Sequence, residues 1–366
     1  MKLWMLAFTL LPLLGCVYVL WHIWHILPFA ACWRWTVTGV LALCAISFFL
    51  SFALDIDNMP FWLATLLYET GTAALFILIY LVMTFLVLDI GRLVRLVPKT
   101  FLFDSAAGSA TVFVLIAGIF IYGYFKFLHK ERVPLELTTE KTLSVVNKEL
   151  KIVMISDLHL GYTIRLDEFK GWIDKLNAEN ADLILIGGDI IDRSLRAVND
   201  QEMAQEFHRL NAPVYACLGN HEYLSGVDGS VEFYKAAGIH LLRDETATVK
   251  GINIIGRDDR SNMRRKPLAQ LTEQLDMSRY TILLDHQPYS LEKAEQAGID
   301  FQLSGHTHYG QVWPISWIED AIYEDAFGPL TKGNTQYYVT SGIGLWGGKF
   351  RIGTRSEYVV AQLKAK

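Results

Sequence analysis

The sequence predicts a two-part protein, in which an N-terminal transmembrane region of four helices precedes an α/β domain. Hydrophobic residues make up 52% of the 366 residues and charged residues 19%, which is too apolar for a wholly soluble protein. The apolar excess ends near Phe127, and beyond it strand-like runs alternate with amphipathic helical windows. Such alternation predicts sheets covered by helices. We therefore expect a transmembrane region over 1–128, a charged connector over 129–148 and the α/β domain over 149–366.

Four long apolar stretches form the N-terminal region. They run from Leu3 to Ile26, Trp35 to Leu54, Leu66 to Leu88 and Ala110 to Phe127. Each approaches the roughly 20 residues that a spanning helix needs. A buried soluble core would require four helices without a polar face, which globular helices seldom show. Tryptophans cluster at the segment ends, as in an interfacial belt, and Glu69 is the one ionisable side chain that stands out within a span.

Charge among the short loops does not decide which side of the membrane carries the α/β domain. Four spans place both termini on one side of the membrane. The number of basic residues in the short loops is the same on the two sides. Lys2, Lys126, Lys130 and Arg132 stand on the terminal side, against Arg34, Arg92, Arg95 and Lys99 on the other. The net charge of −5 argues against a nucleic-acid partner. Cys217 is the only cysteine of the α/β domain, so no disulfide is expected within that domain.

Five apolar runs in the α/β domain are each followed by side chains that can bind a metal. The runs are Ile152 to Ile155, Leu183 to Ile186, Val214 to Leu218, Ile282 to Leu284 and Phe301 to Leu303. The blocks after them are Asp157-Leu158-His159, Gly188-Asp189, Gly219-Asn220-His221-Glu222, His286 and Gly305-His306-Thr307-His308. The runs are typical of buried strands, so the blocks lie on loops at strand ends. Helical windows intervene, and this periodicity alone leaves a plain doubly wound sheet possible.

The order of these blocks resembles the calcineurin-like metallophosphoesterase superfamily, whose loops carry D-x-H, G-D, G-N-H-[DE], a lone His and G-H-x-H. The resemblance covers roughly Glu149 to Leu363. It implies two facing mixed sheets with helices outside, a four-layer αββα sandwich. The longer motif over 305–311 and the pair Asp258-Asp259 resemble a membrane-associated branch related to UDP-2,3-diacylglucosamine hydrolases. Exported relatives are common in that branch, which favours an extracytoplasmic catalytic domain.

The resemblance also implies a dinuclear metal site. Phosphate ester hydrolysis is intrinsically slow, and two divalent ions about 4 Å apart accelerate it by sharing the nucleophile and neutralising the phosphoryl oxygens. Asp189 corresponds to the shared aspartate. The first ion would be completed by Asp157, His159 and His308, and the second by Asn220, His286 and His306. The mixed imidazole and carboxylate set favours ions of the Mn, Fe or Zn class over Ca²⁺.

His221 resembles the family's non-ligating histidine, which would protonate the leaving oxygen or stabilise the phosphoryl charge. Its alternative role is hydrogen bonding within the loop. We expect Glu222 to orient His221. Asp285 is either a hydrogen-bond partner of His286 or a solvated loop carboxylate.

Three residues are candidates for substrate binding. Arg193 is either a phosphate contact or one side of a surface ion pair. Arg265 belongs to a basic segment, residues 257–266, that suits anionic head groups or is simply solvated. Trp317 lies in an aromatic segment, residues 312–323, that would contact an acyl chain or the bilayer, or would pack under the loop.

The sequence therefore predicts a membrane-anchored, dinuclear metal-dependent phosphoesterase that hydrolyses phosphodiester or diphosphate bonds. Its partners would be membrane lipid and a phosphoester, with lipid-linked molecules such as UDP-diacylglucosamine as the specific substrate hypothesis. One alternative is a phosphohydrolase of soluble nucleotides or phosphoproteins. Another is a membrane sensor or carrier with a regulatory phosphohydrolase domain. A carrier requires paired ionisable groups within the spans, and the sequence points only to Glu69. The oligomeric state stays open.

Overall fold

A computed structural model describes residues 3–143 and 149–366, with side chains of the first helix from residue 11 onward. Lys2 and residues 144–148 of the predicted connector lie outside the described residues. The chain divides into two compact units. The first comprises residues 1–125 and 347–350, and the second comprises residues 126–346 and 351–366.

The N-terminal region is helical. Its helices are α1 (Leu3–Ile26), α2 (Ala31–Ala53), α3 (Phe61–Leu93), α4 (Lys99–Leu102) and α5 (Ala106–Leu128). Helices α2, α3 and α5 are long and apolar enough to cross a membrane, and the searched part of α1 is a shorter apolar helix over Leu11–Ile26. The three long apolar helices confirm the predicted hydrophobic character of this region. Helix α3 is longer than its predicted window because the helix continues past the polar side chains at either end.

A polar cluster joins α1 to α3 in the first unit. Asp89 Oδ2 accepts a hydrogen bond from the Tyr18 hydroxyl at 2.9 Å and lies 3.0 Å from Nε2 of the buried His22. Arg92 lies 3.7 Å from the other carboxylate oxygen. The sequence pointed only to Glu69, because Asp89 falls just beyond the predicted span. The helices therefore do contain paired ionisable groups, and the sequence-based argument against a carrier no longer holds.

Two mixed sheets form the second unit. The strands are β1 (Lys130–Thr139), β2 (Glu149–Ile155), β3 (Leu183–Ile186), β4 (Val214–Ala216), β5 (His240–Leu241), β6 (Glu245–Val249), β7 (Ile252–Gly256), β8 (Thr281–Leu284), β9 (Phe301–Ser304), β10 (Gly328–Lys332), β11 (Thr335–Val339) and β12 (Ser356–Ala365). One sheet has the order β1-β12-β2-β3-β4-β5, and the other β10-β11-β9-β8-β7-β6. The neighbours β2, β3, β4 and β5 are parallel, as are β7, β8, β9 and β11. The antiparallel pairs are β12 with β2, β10 with β11 and β6 with β7.

Helices accompany the strands along the chain. They are α6 (Leu166–Ala178), α7 (Leu195–Asn199), α8 (Met203–Phe207), α9 (Asn220–Ser225), α10 (Val227–Ala236), α11 (Leu268–Thr272), α12 (Glu292–Gln296) and α13 (Ile315–Ile322). Each predicted helical window overlaps one of these helices, although several helices are only one turn long. The windows are Asp167 to Asn177, Gln201 to Leu210, Val231 to Ala237, Leu268 to Leu275 and Leu291 to Ala297. The sequence-based α/β assignment is thereby confirmed, together with the two mixed sheets.

Apolar residues on both faces of the central strands organise the core. One cluster joins the two sheets and includes Ile152, Met154, Leu185, Ile282, Leu284 and Leu303. A second joins the other face of β2 and β3 to α6 and includes Val153, Ile155, Ile184, Phe169 and Ile173. A third joins β7 and β8 to α11 and α12 and includes Ile255, Leu283, Leu268 and Leu291. Strands buried on both faces read as continuous apolar runs, which is why the sequence located them.

The predicted connector is corrected by the structure, because residues 130–139 form a strand. Strand β1 pairs in parallel with β12 along its whole length. Leu137 is buried in the core between the sheets, and Val133 and Leu135 pack against that core. Charged residues and Pro134 hid this alternation in the sequence. Strand β1 lies at the edge of its sheet, which is where sheets tolerate a proline.

Candidate metal centre

Loops at the ends of five strands carry the seven predicted ligands. Strands β2, β3 and β4 of one sheet are followed by Asp157 and His159, by Asp189 and by Asn220. Strands β8 and β9 of the other sheet are followed by His286 and by His306 and His308. Parallel strands end on the same edge of a sheet, so each sheet presents its ligands together. The hydrophobic core between the two sheets then brings the ligand loops of one sheet close to those of the other.

The ligand loops contain an unusual concentration of left-handed backbone. Five predicted ligands have positive φ, namely Asp157 (56°), His159 (47°), Asp189 (51°), His306 (73°) and His308 (48°). This conformation costs a residue with a Cβ atom about 1–2 kcal/mol. Strain of this kind persists where the surrounding structure over-determines it, and it clusters at functional sites.

Two motif glycines permit the close approach of the loops. A Cβ atom on Gly305 would lie 2.2 Å from Asp157 Oδ2, and one on Gly219 would lie 2.1 Å from Asp189 Oδ1. Neither separation is compatible with non-bonded atoms. Any side chain at these positions would therefore displace a carboxylate that the sequence predicts to be a ligand.

Asp157, His159 and His308 form one cluster of potential ligand atoms. Nε2 of His159 lies 3.0 Å from Nε2 of His308. Oδ1 of Asp157 lies 3.6 Å from His308 Nε2 and 3.9 Å from His159 Nε2. All three side chains can direct one donor atom to a common point, and they are the predicted ligands of the first ion.

Asp189, His286 and His306 form a second cluster. Nε2 of His286 lies 3.0 Å from Asp189 Oδ2. Asn220 joins this group, because its Oδ1 atom lies 2.7 Å from Nδ1 of His306. The structure thus brings together the residues that the sequence predicts for the second ion.

Asp189 stands between the two clusters. Its Oδ2 atom lies 3.7 Å from His159 Nε2 in one cluster and 3.0 Å from His286 Nε2 in the other. Its Oδ1 atom accepts a hydrogen bond from the backbone N–H of His221 at 2.8 Å. One carboxylate oxygen is therefore within reach of both groups, as a bridging ligand requires.

The contacts of His286 indicate that the site fits a cation. Nδ1 of His286 lies 2.7 Å from the carbonyl oxygen of Gly187, an acceptor only, so Nδ1 carries a proton. In the neutral ring, Nε2 then presents a lone pair to the Asp189 carboxylate, and this buried nitrogen has no hydrogen-bond partner. Two lone pairs at 3.0 Å repel unless a proton or a metal ion lies between them. Imidazole, carboxylate and amide donors suit divalent ions of the Mn, Fe or Zn class.

The electrostatics of the ligands also suit cation binding. Burial would raise the pKa values of Asp157 and Asp189, but the surrounding histidines lower both below the usual range. Burial lowers the pKa of His306 to about 4 and that of His308 well below normal. Metal binding requires ionised carboxylates and neutral imidazoles, and these four side chains are already in those states.

His159 and His286 differ from the other histidines. Burial would lower their pKa values, but adjacent carboxylates raise the pKa of His159 to about 10 and that of His286 well above normal. A cation would displace the proton that each ring otherwise holds, because it supplies positive charge at the same place.

Asp192 is a functional candidate that sequence reasoning missed. It is 1% exposed, and its Oδ1 atom lies 3.3 Å from Nδ1 of His159 and 3.3 Å from Nδ1 of His221. Outer carboxylates of this kind orient ligand histidines. The only sequence signal was its place three residues after Asp189, which does not reveal a contact with a loop from another strand.

His221 lies beside the first cluster at the start of α9. Its Nδ1 atom donates a hydrogen bond to the backbone carbonyl of Asp192 at 2.7 Å, which leaves Nε2 for other contacts. Burial would lower its pKa, but Asp189 and Asp192 raise it, which favours a protonated donor. His221 can also form a metal-sized group with His159 and Asp189, so its geometry is compatible with ligation as well as with proton transfer.

Glu222 does not orient His221, contrary to the prediction. Its carboxylate accepts hydrogen bonds from the backbone N–H groups of Asp189, Ile190, Ile191 and Gly219 at 2.7–3.2 Å. Glu222 therefore fixes the loop that carries Asp189. Burial and the charge of Asp189 raise its pKa to about 7.

The predicted roles of Asp285 and Arg265 need correction. Asp285 is buried and contacts Arg257 and Arg265, each at 2.9 Å, rather than His286. Two of the basic side chains in the segment 257–266 therefore point inward to a single carboxylate, because a buried charge requires a partner. Arg260 is exposed and lies 3.9 Å above the ring of Tyr289.

The other two candidate substrate residues lie on segments that carry site residues. Arg193 is half-buried and directly follows Asp192. Trp317 is exposed on α13, a helix that begins shortly after the loop of His306 and His308.

Arg351 is a second residue whose role the sequence did not reveal. This fully buried guanidinium donates hydrogen bonds to the backbone carbonyls of His308 at 2.8 Å, Ser341 at 2.5 Å and Gly344 at 2.7 Å. It anchors the loop of one predicted ligand. Burial lowers its pKa to about 10.

Comparisons with known proteins agree with this site. Residues 150–310 match the family model for calcineurin-like phosphoesterases. An uncharacterized metallophosphoesterase of Helicobacter pylori is 30% identical over 69% of this chain and 70% of its own length. A Danio rerio protein named as a transmembrane protein with a metallophosphoesterase domain is 30% identical over 91% of this chain and 80% of its own.

The chain belongs to the calcineurin-like metallophosphoesterase family. It is a membrane-associated, metal-dependent phosphoesterase. Among solved structures, a 5′-nucleotidase precursor from Thermus thermophilus aligns with a TM-score of 0.37 and 16% identity, covering 53% of this chain and 49% of that one.

Proposed function

We propose that this protein hydrolyses phosphodiester or diphosphate bonds with two divalent cations of the Mn, Fe or Zn class. Asp157, His159 and His308 would hold one cation, and Asn220, His286 and His306 the other. The observation that carries this proposal is the position of Asp189 Oδ2, which lies 3.7 Å from His159 Nε2 and 3.0 Å from His286 Nε2. Asp189 would then be the shared ligand.

The bound cations would supply an activated water nucleophile and would neutralise the phosphoryl oxygens. His221 would donate a proton from Nε2 to the leaving oxygen. The backbone carbonyl of Asp192 supports this role, since it accepts the Nδ1 proton of His221 at 2.7 Å and leaves Nε2 for the leaving oxygen. Glu222 would hold the loop of Asp189 in position through the four backbone hydrogen bonds that its carboxylate accepts.

We propose a multi-pass membrane protein with four spans, α1, α2, α3 and α5, and an extracytoplasmic catalytic domain. The transmembrane region would cover 1–128. The catalytic domain, assigned to 149–366 from the sequence, would begin with β1. Its two sheets would be the inner layers of a four-layer αββα sandwich, which the three hydrophobic clusters support.

For the substrate we propose a lipid-linked molecule such as UDP-diacylglucosamine. Apolar helices tie the chain to a bilayer, and Trp317 exposes an apolar surface close in sequence to the ligand loop. Arg193 would contact a phosphate. Arg265, which is tied to Asp285, would act only by holding its loop, and the exposed Arg260 would contact the anionic part of the substrate.

The test is a comparison of substrates with metal-free and reloaded full-length protein. Activity should disappear with a chelator, return with Mn²⁺ or Zn²⁺, and be higher on UDP-diacylglucosamine than on a soluble nucleotide or a phosphopeptide. Arg260→Ala should weaken the lipid-linked reaction more than cleavage of a small chromogenic diester. Arg264→Ala is the matched control, because Arg264 is an exposed arginine of the same segment. Faster turnover of a soluble nucleotide would contradict the substrate proposal.

A further inference from the structure

The second unit exposes a compact apolar surface, which we call the α13 face. It consists of Trp313 (41% exposed), Trp317 (64%), Ile318 (58%) and Ile322 (53%). Among the described residues of this unit, the other large apolar side chains with such exposure are Leu128, Leu224 and Met263. The α13 face therefore gathers four of these seven exposed apolar side chains within ten residues of chain.

Ring packing and backbone hydrogen bonds hold the α13 face in place. The rings of Trp313 and Trp317 pack edge to face with centroids 5.2 Å apart. Backbone bonds from Trp313 N to Ile352 O at 2.7 Å and from Ile315 N to Val312 O at 3.0 Å hold the start of the helix. Ser316 is buried. The exposure of the four side chains is thus a property of an ordered helix, and exposed apolar patches of this kind mark interaction surfaces.

The short connection between α5 and β1 indicates which partner the α13 face contacts. Only His129 separates the last residue of α5, Leu128, from the first residue of β1, Lys130. A chain extends at most about 3.6 Å per residue, so a spanning α5 keeps the start of β1 at the bilayer surface. A bilayer is thus the apolar partner that is always within reach.

The chemistry of α13 suits the interfacial layer of that bilayer. The helix has eight residues and is therefore about 12 Å long, too short to span. Tryptophan prefers the membrane–water interface. The charged side chains on α13 are Glu319 and Asp320, so attraction to anionic lipid does not drive the contact.

We propose that the α13 face inserts into the interfacial layer of the bilayer and holds the ligand loop of His306 and His308 at head-group depth. This inference rests on the membrane association of the proposed function and not on the identity of the substrate. It gives the active site a direct route to phosphates at the lipid surface.

The test measures the fluorescence of Trp317 in full-length protein reconstituted into phosphatidylcholine vesicles. Subtracting the spectrum of Trp317→Phe from that of the unsubstituted protein isolates this side chain. Phosphatidylcholine brominated near the head-group end of its acyl chains should quench most of the Trp317 signal. Addition of anionic lipid should not increase the quenching.

Three outcomes would overturn the proposal. Quenching of Trp317 by aqueous iodide, present on both sides, without quenching by brominated lipid would place the side chain in water. Protection from both quenchers would mean that protein covers the α13 face. Quenching only in anionic vesicles would contradict an apolar contact. Failure of the substrate proposal is separate, since lipid cleavage by the unsubstituted protein is measured independently of the quenching.

Discussion

Replacing Asp192 by asparagine removes one negative charge that two site histidines share. Burial would raise the pKa of Asp192, but His159 and His221 hold it below the usual range, so the carboxylate is ionised. Both contacts are long, at 3.3 Å, so each falls near the lower end of the 1.5–3 kcal/mol of a charge-assisted hydrogen bond, about 1.5 kcal/mol. A loss of about 1.4 kcal/mol in binding free energy corresponds to a tenfold larger dissociation constant. The first metal cluster should therefore bind its cation about tenfold more weakly.

The same substitution should lower kcat about tenfold through His221. The loss should be smaller than that of removing the ring, because the backbone carbonyl of Asp192 still accepts the Nδ1 proton of His221 at 2.7 Å. The assay is reactivation of metal-free protein by increasing Mn²⁺, with a small chromogenic phosphodiester as substrate. Asp200→Asn, at an exposed carboxylate paired with Arg196, is the control. Unchanged metal affinity and kcat in Asp192→Asn would refute the role of this carboxylate, as would a loss equal to that of His221→Ala.

Three further predictions concern proton transfer, stability and topology. His221→Ala should lower kcat by roughly 10²- to 10⁴-fold with normal metal content, and the defect should shrink with better leaving groups; loss of metal would instead identify His221 as a ligand. Burial raises the pKa of Glu319 from 4.5 to about 7, so the ionised form destabilises the fold and stability falls as pH rises from about 4.5 to 7. Glu319→Gln should therefore raise Tm in detergent more at pH 8 than at pH 5, and an equal shift at both would contradict this. A cysteine at the exposed Glu232 should react with an impermeant reagent in intact cells, whereas labelling only after lysis would place the catalytic domain in the cytoplasm.

The sequence located the strand-end blocks because their chemistry is local. Strands such as β3 are buried on both faces and appear as unbroken apolar runs, and the blocks follow them directly. The same logic failed for β1, where Pro134 and charged residues mask an alternation of Val133, Leu135 and Leu137. Its place in a sheet depends on pairing with β12, more than two hundred residues away.

Partners that depend on tertiary contacts were beyond the sequence. Asp285 stands next to His286 in the chain but pairs with Arg257 and Arg265, which follow a different strand, β7. Glu222 stands next to His221 but accepts backbone N–H groups from the loop of Asp189. In both cases the sequence predicted a contact between neighbouring residues of the chain. In the folded protein, each carboxylate instead contacts groups from another segment.

The most direct test of the shared-ligand proposal is the metal content of purified full-length protein, measured by inductively coupled plasma mass spectrometry. The unsubstituted protein should hold two divalent ions per chain. Asp157→Ala should lose mainly one of them, whereas Asp189→Ala should lose most of both, because Asp189 Oδ2 lies within 3.7 Å of ligand atoms in each cluster. Retention of two ions by Asp189→Ala, or saturation of the unsubstituted protein at a single ion, would contradict the account.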